Sequence, residues 1–254
     1  MTNKFLSNRE KSAQSNFVNK KLRKAARSWH TISRIHNYQY MFEWMGRPII
    51  QDPQDICLLQ EIIWFVQPDL VIETGVAHGG SLILSASILA AITFGEELNS
   101  LPMQERKVLG IDIKIKKANR KLILQHPLGK MIELFQGSSI SKSIFNKVEV
   151  MVSKFKRVLV ILDSNHTEKH VYNELLFYSA FIQRGSAILV MDTGIEYAPQ
   201  SSFNKKRPWG PGFSPLTAVK KFCSTDKGKT FRIDQSIEKR ILITCAPEGL
   251  LIKT

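Results

Sequence analysis

The sequence predicts an α/β fold built on a mostly parallel sheet, and three observations carry that prediction. After Pro53, short runs of Val, Ile and Leu alternate with longer stretches of helical apolar spacing, the pattern of repeated βα units. Four of the short runs end in an acid, Glu73, Asp112, Asp163 and Asp192, and parallel sheets bind ligands beyond such strand ends. The chain has 254 residues, 43% hydrophobic and 23% charged, enough for one large domain plus an extension and incompatible with wholesale disorder.

The elements follow in order. Residues 1–34 hold nine basic residues against one acid, Glu10, so this stretch carries +8 of the net charge of +14. Val18, Leu22, Ala25, Trp29 and Ile32 recur at helical spacing, with Lys20, Lys21, Lys24 and Arg27 mostly on other faces. This predicts a basic amphipathic helix in an extension over residues 1–40, ahead of a single domain over 41–254. A helix over Asp55–Gln67, begun by Asp52-Pro53, leads to a buried strand, Asp69–Glu73, and a helix from Gly80 to about Phe94. Strand Lys107–Ile113, helix Ala118–Gln125 and strand Met131–Gln136 come next. Helix Lys142–Lys154 and strand Arg157–Leu162 follow, then helix Thr167–Gln183, with Gly185 as its stop, and strand Ser186–Met191. Asp192–Gly212 is polar and rich in Pro and Gly, a long loop that suits an acceptor-binding lid carrying Arg207 and Trp209. Helix Pro215–Cys223 and two strands, Thr230–Asp234 and Ile241–Cys245, complete the chain.

Composition also excludes. The longest apolar run, Ser81–Phe94, is broken by Ser85, Ser87 and Thr93 and falls short of the roughly 18 residues of a membrane span. No secretory signal pattern is visible, which points to a cytoplasmic protein. Cys57, Cys223 and Cys245 lack C-x-x-C spacing, so they read as buried small hydrophobes rather than disulfide or zinc ligands. The basic helix can pack with its charges in water, lie on an anionic membrane surface or grip a phosphate-rich partner. Nucleic acid is the weaker of these readings, because no aromatics interleave with the bases.

The chemistry concentrates at the strand ends. Asp69-Leu-Val-Ile-Glu-Thr-Gly-Val-Ala-His-Gly-Gly-Ser81 is a buried strand, an acid and a glycine-rich turn running into a helix. It lacks the Lys of a phosphate-binding loop and departs from the G-x-G-x-x-G spacing of dinucleotide sites. Asp112 ends the second strand, where an acid can accept both hydroxyls of a ribose, and Gly137-Ser138-Ser139 follows the third, within reach of an adenine. Asp163 and Asp192 end adjacent strands with His166 beside them, a set suited to a hard divalent cation or to general base catalysis on a hydroxyl. His78 can point outward from its turn, and His170 reads as a helix-surface residue.

These residues carry a resemblance. Glu-Thr-Gly-Val-Ala-His-Gly-Gly-Ser (73–81), Gly-Ile-Asp-Ile (110–113), Leu-Asp-Ser-Asn-His-Thr-Glu-Lys-His-Val (162–171), Val-Met-Asp-Thr (190–193) and the run from 241 to 251 together resemble the cephalosporin hydroxylase-like and rhamnosyl O-methyltransferase group, from about residue 40 onward. The resemblance implies a Rossmann-like class I methyltransferase, with a seven-stranded sheet, helices on both faces and S-adenosylmethionine as cofactor. It implies that Glu73, Gly75, Gly79 and Ser81, with His78 in the same turn, line the methionine and ribose side. Asp112 would take the ribose hydroxyls, Ser138 and Ser139 would lie near the adenine, and Asp163 would border the cofactor. It also implies magnesium held by Asp163 and by an acidic pair at 191 and 192, and here the chain departs, since Met191 offers a hard cation no oxygen.

The reaction expected is methyl transfer to a hydroxyl of a sugar, glycan or glycolipid, with Asp163 and Asp192 orienting the acceptor, directly or through magnesium, and His166 taking the proton. The acceptor would be a small molecule or a lipid-linked glycan. Residues 1–34 would supply peripheral membrane contact, and a homo-oligomer is left open. A nucleic-acid methyltransferase fits the charge but lacks an Asn/Asp-Pro-Pro-aromatic motif, and a hydroxylase lacks a facial pair of histidines with a carboxylate. A non-catalytic, degenerate relative fits Met191.

Overall fold

The computed structural model describes residues 3–199 and 207–254. Two helices open the chain, α1 (Asn3–Val18) and α2 (Lys20–Ile35). The single basic helix expected from the sequence is therefore divided: Asn19 accepts the Leu22 backbone N–H at 3.1 Å and caps α2, leaving Val18 on α1. A hairpin that the sequence reading does not contain follows, β1 (Phe42–Trp44) and β2 (Arg47–Ile49), closed by Met45 and Gly46, both at positive φ. It packs on the start of the long helix below, where a Cβ on Gly80 would lie 2.4 Å from the Pro48 carbonyl oxygen.

The domain is a seven-stranded sheet formed by β3 (Leu70–Thr74), β4 (Lys107–Asp112), β5 (Ile132–Gln136), β6 (Val158–Leu162), β7 (Ala187–Val190), β8 (Phe231–Ile233) and β9 (Leu250–Lys253). Their order is β5-β4-β3-β6-β7-β9-β8; the first five are parallel, while β9 runs antiparallel to both β7 and β8. Helices cover both faces, so the central strands are buried throughout and read as continuous apolar runs. Val71, Leu159 and Leu189 face α3 (Pro53–Val66) and α4 (Gly80–Leu98). Leu70, Ile72 and Ile188 face α6 (Lys142–Val152), α7 (Glu168–Tyr178) and α8 (Pro215–Cys223). A short α5 (Lys117–Leu124) precedes β5. At 19 residues α4 is long and apolar enough to cross a membrane, beyond the run read from the sequence, but it is a core helix with Leu82, Ile83, Leu84 and Leu89 fully buried.

The last strand is misplaced by composition. Ile241–Cys245 has the β-branched residues of a strand, yet the chain there leaves a short helix, α9 (Glu238–Ile241), through Leu242 at φ 60 and does not join the sheet. Buried Asp55, in the first turn of α3, takes its backbone instead: the Cys245 N–H donates to Oδ2 at 3.0 Å, and the Thr244 hydroxyl donates to Oδ1. The strand forms after Gly249, where a Cβ would come within 2.2 Å of the Val190 carbonyl oxygen. All three cysteines are free; Cys245 is buried as expected, whereas Cys57 is exposed on α3.

Candidate active site

The strand order reverses at β3, which lies between β4 and β6, and the functional residues converge beyond the C-terminal ends of these strands. Gly75 leaves β3 at φ 94, and a Cβ there would sit 2.1 Å from the Asp163 carbonyl oxygen, so only glycine lets the β3 turn lie against the end of β6. The Asp112 carboxylate, at the end of β4, accepts the Val76 N–H at 2.9 Å and the Lys114 N–H at 2.9 Å. It is thereby fixed beside the glycine turn. Glu73 is buried, accepts a hydrogen bond from Ser81 and leaves Oε2 without a partner; burial pushes its carboxyl up to about 7. His78 is exposed on the turn, and its carbonyl accepts from Arg47 Nη2–H at 2.6 Å and Nε–H at 3.1 Å.

Ser138 is half-buried after β5. Ser139 belongs to a different network: its hydroxyl lies 3.0 Å from His170 Nε2, which also meets Ser164 Oγ at 3.2 Å, while Tyr178 donates to the Ser139 carbonyl at 2.9 Å. Ser164 in turn donates to the buried carboxylate of Glu174 at 2.8 Å. His170 is thus part of a half-buried polar chain joining β5 and β6 to α7, not the surface residue expected, and Ser139 is oriented by that chain.

Across the β6–β7 boundary, Asp163, His166 and Asp192 each bring a ligand-type atom to within 4.8 Å of the others. Asp192 has left-handed backbone, φ 55, which turns its carboxylate to the mouth of the sheet, while the preceding Met191 is buried in the core beneath α4. His166 Nε2 lies 3.5 Å from Asp192 Oδ2, and Trp209, from the far end of the 192–212 loop, packs edge-on against the imidazole with centroids 5.0 Å apart. Residues 200–206 of that loop lie outside the described residues.

The two carboxylates differ. Burial, then the charges of Asp192 and Glu73, hold Asp163 well above the usual carboxylate range. Asp192 is also penalised by burial, but His166 and Arg34 more than offset it and keep Asp192 below that range.

Three residues near these acids, Arg34, His30 and Gln51, have no site role in the sequence reading, and a fourth, Asp52, figures there only as a helix start. Arg34, on the last turn of α2, donates from Nη1 to Asp192 Oδ1 at 3.2 Å, and its Nη2 lies 3.5 Å from Asp52 Oδ2. His30 Nε2 stands 2.9 Å from both Asp52 Oδ2 and Arg34 Nε. One ring nitrogen cannot donate to the first and accept from the second, so the tautomer of His30 sets which of these two charge-assisted contacts is a hydrogen bond. Gln51 Nε2–H donates to Asp163 Oδ2 at 3.2 Å. The Asp52-Pro53 signal marks the start of α3 correctly, but the Asp52 side chain makes no cap hydrogen bond and turns to His30 and Arg34.

The donor set of Asp163, His166 and Asp192 fits a divalent cation in type and spacing, with water completing the shell. One oxygen of each carboxylate already carries a protein donor, Gln51 or Arg34.

Comparison with known proteins shows the family and the fold. Rhamnosyl O-methyltransferases of Mycobacterium tuberculosis (strain H37Rv) and Mycobacterium leprae (strain TN) are 26% and 25% identical to the chain; each alignment covers 83% of it, and 77% and 82% of those enzymes. Two solved structures share the fold: apo CmcI, with a TM-score of 0.55 and 17% identity, and CmcI with Mg and SAM, also 0.55, at 16%. Each covers 85% of this chain and 77% of CmcI. The model of the family described as rhamnosyl O-methyltransferase/CmcI matches residues 36–254, and the chain belongs to that family.

Proposed function

We propose that the protein transfers a methyl group from S-adenosylmethionine to a sugar hydroxyl, with rhamnosyl acceptors as the first class to try. The observation that carries this reading is the pairing, across the switch point, of an oriented carboxylate beside a glycine turn (Asp112, Gly75) with an acid-backed imidazole (His166, Asp192). The mycobacterial relatives, rhamnosyl O-methyltransferases, and the Mg and SAM bound by CmcI support it.

In this mechanism the donor rests on the β3–β4 side, its ribose hydroxyls on Asp112. His166 faces Asp192 through Nε2, and among the described residues Nδ1 has no hydrogen-bond partner. As the acceptor hydroxyl loses its proton to Nδ1, its oxygen attacks the methyl carbon in line and the carbon–sulfur bond breaks. The products are the methyl ether, S-adenosylhomocysteine and a protonated His166, which returns its proton to water. Asp192 stabilises the imidazolium, and Trp209 keeps water from one edge of it. A divalent cation held by Asp163 and Asp192 would lower the pKa of the acceptor hydroxyl.

Calorimetric titration with S-adenosylhomocysteine checks the donor half. Stoichiometric binding is expected in the wild type, weakened about tenfold in Asp112→Ala, the loss of one hydrogen-bonded charge contact. Absence of binding in both proteins would turn the assignment toward a degenerate relative.

We further infer that the cytoplasmic enzyme visits an anionic membrane, as a lipid-linked glycan acceptor would require. Trp29, Ile32 and Ile35 of α2 are exposed on the same helix as exposed Lys20, Lys21 and Lys24. Flotation with phosphatidylserine vesicles is expected for the wild type and lost in Lys20→Glu/Lys21→Glu/Lys24→Glu; equal behaviour of the two proteins would refute the contact.

A further inference from the structure

The family match begins at residue 36, yet the helix just before it reaches into the acid pair. What docks α2 is mainly polar, beside an edge contact of Trp29 with Tyr38 at 5.3 Å between ring centroids. None of its residues is fully buried, while His30 meets Asp52, Arg34 meets Asp52 and Asp192, and Arg27 lies 5.1 Å over the Tyr197 ring. Asp52 is wholly buried, so it gives the guanidinium a rigid anchor. The Arg34 side chain remains one-third exposed, and Nη1 and Nη2 each have a further N–H beyond those facing the carboxylates. Arg34 on Asp192 Oδ1 sets a fixed positive charge against the carboxylate that a cation shared by Asp163 and Asp192 would also use. Met191 adds no oxygen ligand to hold such a cation against it, since a thioether has none, and its side chain is packed in the core.

We propose that Arg34 is a catalytic residue delivered from outside the family domain: its guanidinium donates a hydrogen bond to the acceptor oxygen and supplies the positive charge that a divalent cation would otherwise bring to Asp163 and Asp192. The inference rests on the methyl-transfer reading above. As the acceptor proton moves to His166, charge develops on an oxygen already facing a fixed cation, and no reorganisation is needed at that moment. A guanidinium never deprotonates in this range, so it can play no part as a base.

The test uses Mn²⁺ as a probe, followed by electron paramagnetic resonance in the full chain with S-adenosylhomocysteine present. The wild type is expected to bind Mn²⁺ at least tenfold more weakly than Arg34→Met, and the site gained by Arg34→Met is expected to vanish in Arg34→Met/Asp192→Asn. Equal Mn²⁺ affinity in wild type and Arg34→Met overturns the proposal. Methyl transfer to a rhamnoside is expected to survive EDTA in the wild type, to fall about 100-fold in Arg34→Met and to return partly in Arg34→Lys. A wild-type enzyme that needs added Mg²⁺ overturns it as well. Failure of S-adenosylhomocysteine to bind any variant defeats the methyl-transfer reading instead, while the Mn²⁺ comparison still reports whether Arg34 holds the acid pair.

Discussion

Replacing His166 by alanine is expected to lower kcat by about 10²–10⁴-fold, the usual contribution of a positioned general base. Acceptor KM and S-adenosylhomocysteine affinity should stay within a fewfold, because the donor contacts proposed for Asp112 and the β3 turn are across the switch point. The variant keeps its fold: His166 is only half-buried, and Thr167, not His166, caps α7 by accepting the His170 N–H. Trp209 loses an edge contact, which can loosen the 207–213 segment without disturbing the sheet. Steady-state rates at saturating acceptor decide the matter. Turnover within twofold of the wild type would remove His166 from the reaction and shift proton transfer to solvent or to Asp192.

The second large effect is on stability against pH. Glu73 has an ordinary carboxyl pKa of 4.5 when unfolded and about 7 when folded, because burial opposes its charge and the Ser81 hydrogen bond only partly compensates. Above pH 4.5 the unfolded chain therefore releases a proton that the folded chain retains. This contribution to folding is undiminished below about pH 4.5, falls as pH rises toward 7 and levels off above it, an overall loss of about 3 kcal/mol. Glu73→Gln, which imitates the protonated acid, is expected to remove that slope and to exceed the wild type in stability at pH 8 by up to this amount. Urea unfolding of both proteins at pH 5 and pH 8 measures it. A wild type and variant with the same change between the two pH values would show that Glu73 ionises freely in the fold.

Much of the site is legible in the chain because it depends on local order. A buried strand followed by an acid or glycine needs only a few consecutive residues, and Glu73, Gly75, Asp112, Asp163 and Asp192 all sit at strand ends as that pattern predicts. Arg34 and Asp192 are 158 positions apart, and nothing in the spacing of a basic helix says which of its charges turns inward. The amphipathic pattern even points the wrong way, since Trp29 and Ile32 are exposed while His30 and Arg34 meet the domain. The Ser139–His170–Glu174 chain is hidden for a related reason: α7 must pack before its inward face can be known. Ile241–Cys245 shows β-branched composition overruled by one buried carboxylate, Asp55, 190 positions before Cys245, that offers the backbone another partner.

The contact between Gly75 and the Asp163 carbonyl has a consequence for how such an enzyme changes its substrate over evolutionary time. That contact clamps the donor turn to the strand bearing the chemistry through main chain alone, so side-chain exchange elsewhere leaves their separation untouched. The surfaces proposed to meet an acceptor, α2 and the segment around Trp209, hang from the rim by side-chain contacts and lie before the family match or at the end of a long loop. New acceptors can thus be acquired by remodelling the rim, while the alignment of donor and base is inherited unchanged.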